Sequence, residues 1–197
     1  MGWLSLLAAT WLGTPFVKAD VASCLTEGTG QRGRFFIEGF TGQSIIAWLG
    51  SEDPRRAHGF GIGVFAPAPR ILRIKGMVPE LLVEGYHHRS TSPGASGIGP
   101  NGTDAYGILT LARYTFSRTK QASWYFDIGT GFQYADMRTV DLSGRGSFTP
   151  TIGVGVSLGE GTTQLVLGAR YFHISNAGLQ GNNQGQNQIL FTVGIRF

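Results

Sequence analysis

With one cysteine, Cys24, the chain cannot close an intrachain disulfide. Charge is scarce as well: Asp, Glu, Lys and Arg together make up 14% of 197 residues. The surplus of +4 is scattered, without the basic run or stripe that nucleic acid requires, so nucleic acid is excluded as a partner. Beyond the N-terminal segment no run of about 18 apolar residues occurs, which removes a membrane-spanning helix. Stretches with a helical hydrophobic period are few, and the length leaves room for one domain. What is plentiful is glycine, 31 residues, with aromatics at 12%. That is the composition of an all-β chain with many tight contacts.

The first residues read as an export signal. An apolar stretch over 3–13 is followed by Val17-Lys18-Ala19, small residues suited to cleavage before Asp20. This divides the chain into a signal peptide, 1–19, an N-terminal segment, 20–33, and a β-domain, 34–197. A second reading takes Val21-Ala22-Ser23-Cys24 as a lipoprotein box with Cys24 lipidated.

Within the β-domain, side chains alternate with period two, which on a strand sends neighbours to opposite faces. Over 124–134 one face carries Trp124, Phe126, Ile128, Thr130, Phe132 and Tyr134, and the other Tyr125, Asp127, Gly129, Gly131 and Gln133. The same rule holds over 148–158 and 59–64. A soluble sandwich also alternates, but three features together favour a membrane barrel. The segments are about ten residues long, enough for a tilted strand to cross a bilayer. Aromatics gather at segment ends, and the second face is polar or glycine-rich where a sandwich core would hold Leu and Val. Eight strands are expected, over 34–40, 59–66, 80–88, 105–116, 122–135, 147–158, 163–175 and 188–197, forming an antiparallel transmembrane barrel of the outer-membrane type. Long connections alternate with short ones, which puts 41–58, 89–104, 136–146 and 176–187 outside and the short turns in the periplasm. The connection 67–79 is long for a periplasmic turn, and Ile45-Ile46-Ala47-Trp48-Leu49 is a candidate extension of a strand.

On the seventh strand Leu165, Leu167, Ala169, Tyr171, His173 and Ser175 share the apolar, lipid-facing side, and Asn187 on the eighth has the outward parity of Ile189 and Phe191. Three polar side chains therefore meet at the outer-leaflet boundary, where polar groups are costly unless paired or used. A Ser beside a His is the smallest activated nucleophile, because the imidazole takes the hydroxyl proton. Spacing alone leaves a merely structural His-x-Ser open.

The stretch HISNAGLQGNNQG, 173–185, resembles the signature His-x-Ser-Asn-Ala-Gly followed by Asn-x-Gly of the outer-membrane lipid A 3-O-deacylase family, and 126–171 is similar to that family's final strands. The resemblance implies an eight-stranded barrel whose Ser175 attacks the ester at the 3-position acyl chain of lipid A. His173 would be the general base and then acid, and Asn176, Gly178 and Asn183 would hold the oxyanion or shape its loop. No metal or other cofactor is implied. The chain departs from the family pattern at Asn187, where the resemblance calls for a Glu to orient the His. Implied partners are lipid A or lipopolysaccharide, outer-membrane lipid, and the barrel assembly machinery, which would read C-terminal Phe197; a homodimer is compatible with the architecture. A non-catalytic barrel with a structural or lipopolysaccharide-binding role is the rival reading. Elsewhere, His87-His88 cannot chelate together because adjacent strand residues point apart. Arg89, Arg138 and Arg145 flank outer loops where lipid phosphates would lie. No helix follows the paired glycines 129/131 and 153/155, so these are small inward residues and not a phosphate loop.

Overall fold

The computed structural model describes residues 33–46, 54–75, 77–92, 102–139, 141–179, 181 and 183–197. The expected signal peptide, Cys24 and the segment 47–49 lie outside the described residues. Nine strand segments follow in order: β1 (Phe35–Ser44), β2 (Arg56–Pro67), β3 (Glu80–Thr91), β4 (Thr103–Arg118), β5 (Ala122–Ala135), β6 (Gly146–Phe148), β7 (Thr151–Leu158), β8 (Gln164–Ile174) and β9 (Gln186–Arg196). All pairings are antiparallel, and the sheet closes through β4–β5. β6 and β7 both pair with β5 and are two parts of one crossing, so the barrel has eight crossings.

The expected sixth strand, continuous over 147–158, is interrupted at Thr149 and Pro150. Pro150 has no N–H to give to a ladder, so pairing stops there. The interruption serves the neighbouring strand: the carbonyl of Pro150 accepts the His173 N–H at 3.0 Å, and Ser175 bridges to Phe148. β1 runs further than its apolar alternation indicated, to Ser44, and the Ile45 N–H still donates to the Asn187 carbonyl at 2.9 Å. Asp104, expected in a loop, is the second residue of β4.

The two faces follow the alternation. Phe60, Ile62, Ile108, Val154, Phe191 and Val193 face out and are exposed, while Phe36, Leu82, Leu109, Leu111, Val166 and Phe172 are buried inside. The lumen is filled, not open, because large side chains meet small ones across it. A Cβ on Gly61 would lie 2.1 Å from Glu84 Oε1, and one on Gly107 would lie 2.4 Å from the Tyr86 ring.

Charged groups inside are paired in place, as burial demands. Arg170 Nη1 reaches Glu38 Oε1 at 2.5 Å and Glu84 Oε2 at 3.2 Å. Arg113 holds Asp127 with two bonds of 2.8 Å and lies 3.6 Å over the Tyr125 ring. Arg196 clasps Glu80 at 2.6 and 2.9 Å. The alternation put Asp127 on the inner face; which charges pair was not visible, since Arg170 meets Glu38 from 132 positions away and Arg196 meets Glu80 from 116 positions away.

Connections 119–121 and 159–163 are short, whereas 45–55, 92–102, 136–145 and 175–185 are long and share the other end. The long 68–79 connection is at the short-turn end and folds back over the outside of β4. It contains one 3-10 turn, Arg70–Leu72, and the Leu72 carbonyl accepts the Tyr114 hydroxyl at 2.6 Å. Tyr114, on the outward face, is thereby covered and stacks on Phe126 at 4.8 Å.

Candidate active site

The site is assembled where β6/β7, β8 and β9 meet at the long-loop end. On β8, Val166, Arg170, Phe172 and Ile174 are buried inward, which turns Tyr171, His173 and Ser175 outward. His173 stands opposite Asn187 in the ladder, and the Asn187 carbonyl oxygen lies 2.6 Å from His173 Nδ1. A carbonyl oxygen can only accept, so Nδ1 carries the proton, which in the neutral imidazole leaves the lone pair on Nε2. Asn187 points outward yet is fully enclosed, because Tyr171 also closes over it and donates its hydroxyl to the same oxygen at 2.6 Å. Two donors on one oxygen fix which way the amide faces. Nothing in the sequence reading singled out Tyr171; the signal that could have found it is its parity with His173 and Asn187.

Ser175 is held separately. Its backbone exchanges two hydrogen bonds with Phe148, at 2.7 and 3.0 Å. Its Oγ lies 3.0 Å from Asn183 Nδ2 and 3.2 Å from Asn183 Oδ1, and accepts the Ala177 N–H at 3.1 Å. Among the described residues no hydrogen bond joins the His173 ring to Ser175 Oγ. The two residues are two steps apart on one face, about 6.6 Å along a strand, and such bonds often tighten only when substrate binds.

Asn176, Gly178 and Asn183 build the turn that follows. The Asn183 side chain accepts the Asn176 N–H at 2.9 Å, and the Asn176 side chain accepts the Gly178 N–H at 2.9 Å. The backbone N–H groups of residues 176 to 178 thus converge beside Ser175 with their bonds taken up internally. Ala177, at φ 55°, and Gly178, at φ 73°, are both left-handed. For a non-glycine residue this conformation costs roughly 1–2 kcal/mol, and held strain of this kind gathers at functional turns. The turn is supported from the next loop: the Gln184 N–H donates to the Asp141 carbonyl at 3.0 Å, Gln186 Nε2 donates to Asp141 Oδ2 at 3.0 Å, and Asp141 pairs with Arg55 at 3.3 Å, both ions buried. Asp141 is therefore committed to loop support and is not beside His173.

The other singled-out residues fall elsewhere. His87 and His88 diverge as expected, His87 outward to Asp104 at 2.9 Å and His88 inward to Gln188 at 2.9 Å. Arg89 pairs with Asp104 at 2.7 Å, Arg145 lies 5.7 Å over the Tyr134 ring and bonds the Asp136 carbonyl, and Arg138 is exposed.

Comparison with known proteins places this geometry in context. The model of a family described as lipid A 3-O-deacylase (PagL) matches residues 80–196. The crystal structure of the outer-membrane enzyme PagL superposes with a TM-score of 0.62 at 16% identity, covering 82% of this chain and 99% of that one. Neisserial surface protein A superposes with a TM-score of 0.53 at 19% identity, covering 86% of this chain and 100% of that one. No curated protein matches by sequence.

Proposed function

This chain belongs to the lipid A 3-O-deacylase family and is an outer-membrane β-barrel, and we propose that it hydrolyses the ester that joins the 3-position acyl chain to lipid A. The observation that carries the reading is the pairing of His173 Nδ1 with an enclosed acceptor, Asn187, on the lipid-facing side of the barrel, with Ser175 two residues further along the same face.

In this reading Ser175 Oγ attacks the ester carbonyl carbon and passes its proton to His173 Nε2, the nitrogen left free when Nδ1 is bound to Asn187. The carbonyl π pair moves to oxygen, and the 176–178 N–H groups, once released from their internal acceptors, stabilise it. Donors of this kind are worth about 3–4 kcal/mol each. Collapse breaks the bond to the sugar oxygen, which takes the proton from His173. Water then cleaves the acyl-serine by the same route and releases a hydroxy fatty acid. Asn187 orients the ring as the expected Glu would, with Tyr171 holding its amide in the useful direction, but it brings no charge to offset the imidazolium formed during attack.

The rival, a barrel that binds lipopolysaccharide without cleaving it, draws on two observations: the uncharged Asn187 and the unclosed His173–Ser175 contact. Mass spectrometry of lipid A from a host expressing the protein separates the two. The deacylase reading expects a new species lacking one 3-hydroxyacyl chain, absent with Ser175→Ala. Identical lipid A spectra for the two proteins, with both barrels folded in the outer membrane, would leave only the rival.

A further inference from the structure

A second polar cluster on the outer face lies away from Ser175. At the long-loop ends of β2, β3 and β4 the alternation turns Arg56 and His58, then His87 and Arg89, then Asp104 outward, since their neighbours Ala57, His88, Ser90, Thr103 and Ala105 are buried within the barrel. The ladder sets them side by side: His58 is opposite Arg89, and Arg89 is opposite Asp104. Around the barrel β3 is four crossings from β8 in either direction, through β2, β1 and β9 or through β4, β5 and β7, so the cluster is across from Ser175.

At its centre one carboxylate is shared by two side chains. Asp104 takes Arg89 Nη1 at 2.7 Å and His87 Nε2 at 2.9 Å, and its own backbone N–H is capped by Asp136 Oδ1 at 3.1 Å. One carboxylate thus orders two nitrogen-bearing side chains, while Arg56 and His58 are exposed beside them, with no side-chain hydrogen bond among the described residues. Phe60 and Tyr106, both largely exposed, lie against the His87 ring with centroids 5.5 and 5.0 Å away and mark the aromatic level of the bilayer interface. Cationic side chains on a lipid-facing surface at that level have one abundant counterpart, the anionic headgroups of the leaflet they face. Guanidinium groups match phosphate in geometry as well as charge.

We propose that Arg56, His58, His87 and Arg89 form a binding site for the phosphorylated headgroup of an outer-leaflet glycolipid of the lipid A type, on the side of the barrel opposite Ser175. The site acts as a fixed lipid clamp and does not depend on whether Ser175 is a nucleophile. Asp104 is its organiser, holding Arg89 and His87 in place for the incoming phosphate.

The test uses the full barrel carrying Ser175→Ala, so that no lipid is consumed, in detergent micelles. Native mass spectrometry reads how much lipid each barrel retains when offered bis-phosphorylated lipid A, the same lipid dephosphorylated, or inorganic phosphate alone. The proposal expects preferential retention of the phosphorylated lipid and loss of that preference when Arg56→Ala and Arg89→Ala are added, with inorganic phosphate alone not retained. Arg56→Glu, a single exchange at an exposed position, gives a second reading and lowers retention in the same direction. Equal retention of the two lipids by the Ser175→Ala barrel, or retention unchanged in both the double and the single Arg variants, overturns the site.

Discussion

The barrel holds polar residues in two very different settings. Inside, Arg170 with Glu38 and Glu84, Arg113 with Asp127, and Arg196 with Glu80 are joined by ion pairs across the barrel. Outside, at the top of β8 and β9, the Asn187 carbonyl oxygen receives Tyr171 and His173, and Ser175 is held separately by Asn183 on the same lipid-facing side. The lumen uses polarity to fix strand positions, its charged groups being engaged with one another across the barrel. The outer cluster is held by neutral-acceptor bonds from Asn187 and Asn183, and in the proposed deacylase these set the His173 tautomer and the Ser175 hydroxyl.

The largest effect expected from this contrast is on stability. Arg170→Ala leaves Glu38 and Glu84, both buried, without their counter-ion, and breaking a buried pair in this way costs roughly 3–5 kcal/mol. The denaturation midpoint of the purified barrel should fall accordingly, while deacylation per folded molecule stays near its starting value because the Arg170 side chain is on the face away from Ser175. A barrel of unchanged stability would mean that the lumen network is not its scaffold.

Asn187→Glu should act in the opposite way. A carboxylate would keep both acceptor contacts, from Tyr171 and His173, and add the charge that stabilises the imidazolium. Deacylation should rise, with about 10⁴-fold as the ceiling suggested by the corresponding acid-to-amide change in a serine protease. Initial rates of hydroxy fatty acid release measure it. If the Glu variant is no faster and Asn187→Ala is harmless, Asn187 has no part in orienting His173.

The smallest change concerns Tyr171. Tyr171→Phe removes one donor from the Asn187 oxygen, a bond worth about 1 kcal/mol, and frees the amide to turn its NH₂ toward the ring. Deacylation should drop severalfold with the melting temperature little altered, and Asn187→Glu should rescue it because a carboxylate has no wrong face. A Tyr171→Phe loss that persists in the Asn187→Glu background would make Tyr171 a packing residue only.

Much of this arrangement was legible in the chain. The period-two alternation gave the inner and outer faces, and it put His173, Ser175 and Asn187 on one side because parity is a local property. The strand break at Pro150 escaped, since Phe148, Ile152 and Val154 keep alternating across it and only the ladder reveals where pairing stops. Strand ends escaped where polar residues continue the pairing, as at Gln43, Ser44 and Gln186. Which lumen charges pair was hidden because Glu38 and Arg170 are 132 positions apart and meet only through barrel closure. The role of Tyr171 was hidden for a related reason: its partner is on the next strand, and an outward tyrosine near a bilayer interface has a sufficient explanation without one.

In the proposed deacylase, chemistry belongs to the outer face and architecture to the lumen. The purified barrel, reconstituted with lipid A, gives the most direct measurement: free hydroxy fatty acid released over time, with the unfolding midpoint recorded on the same preparation. Ser175→Ala is predicted to bring release to the background of protein-free vesicles while leaving the midpoint unchanged. Release by the Ser175→Ala barrel at the rate of the unaltered protein would contradict the claim.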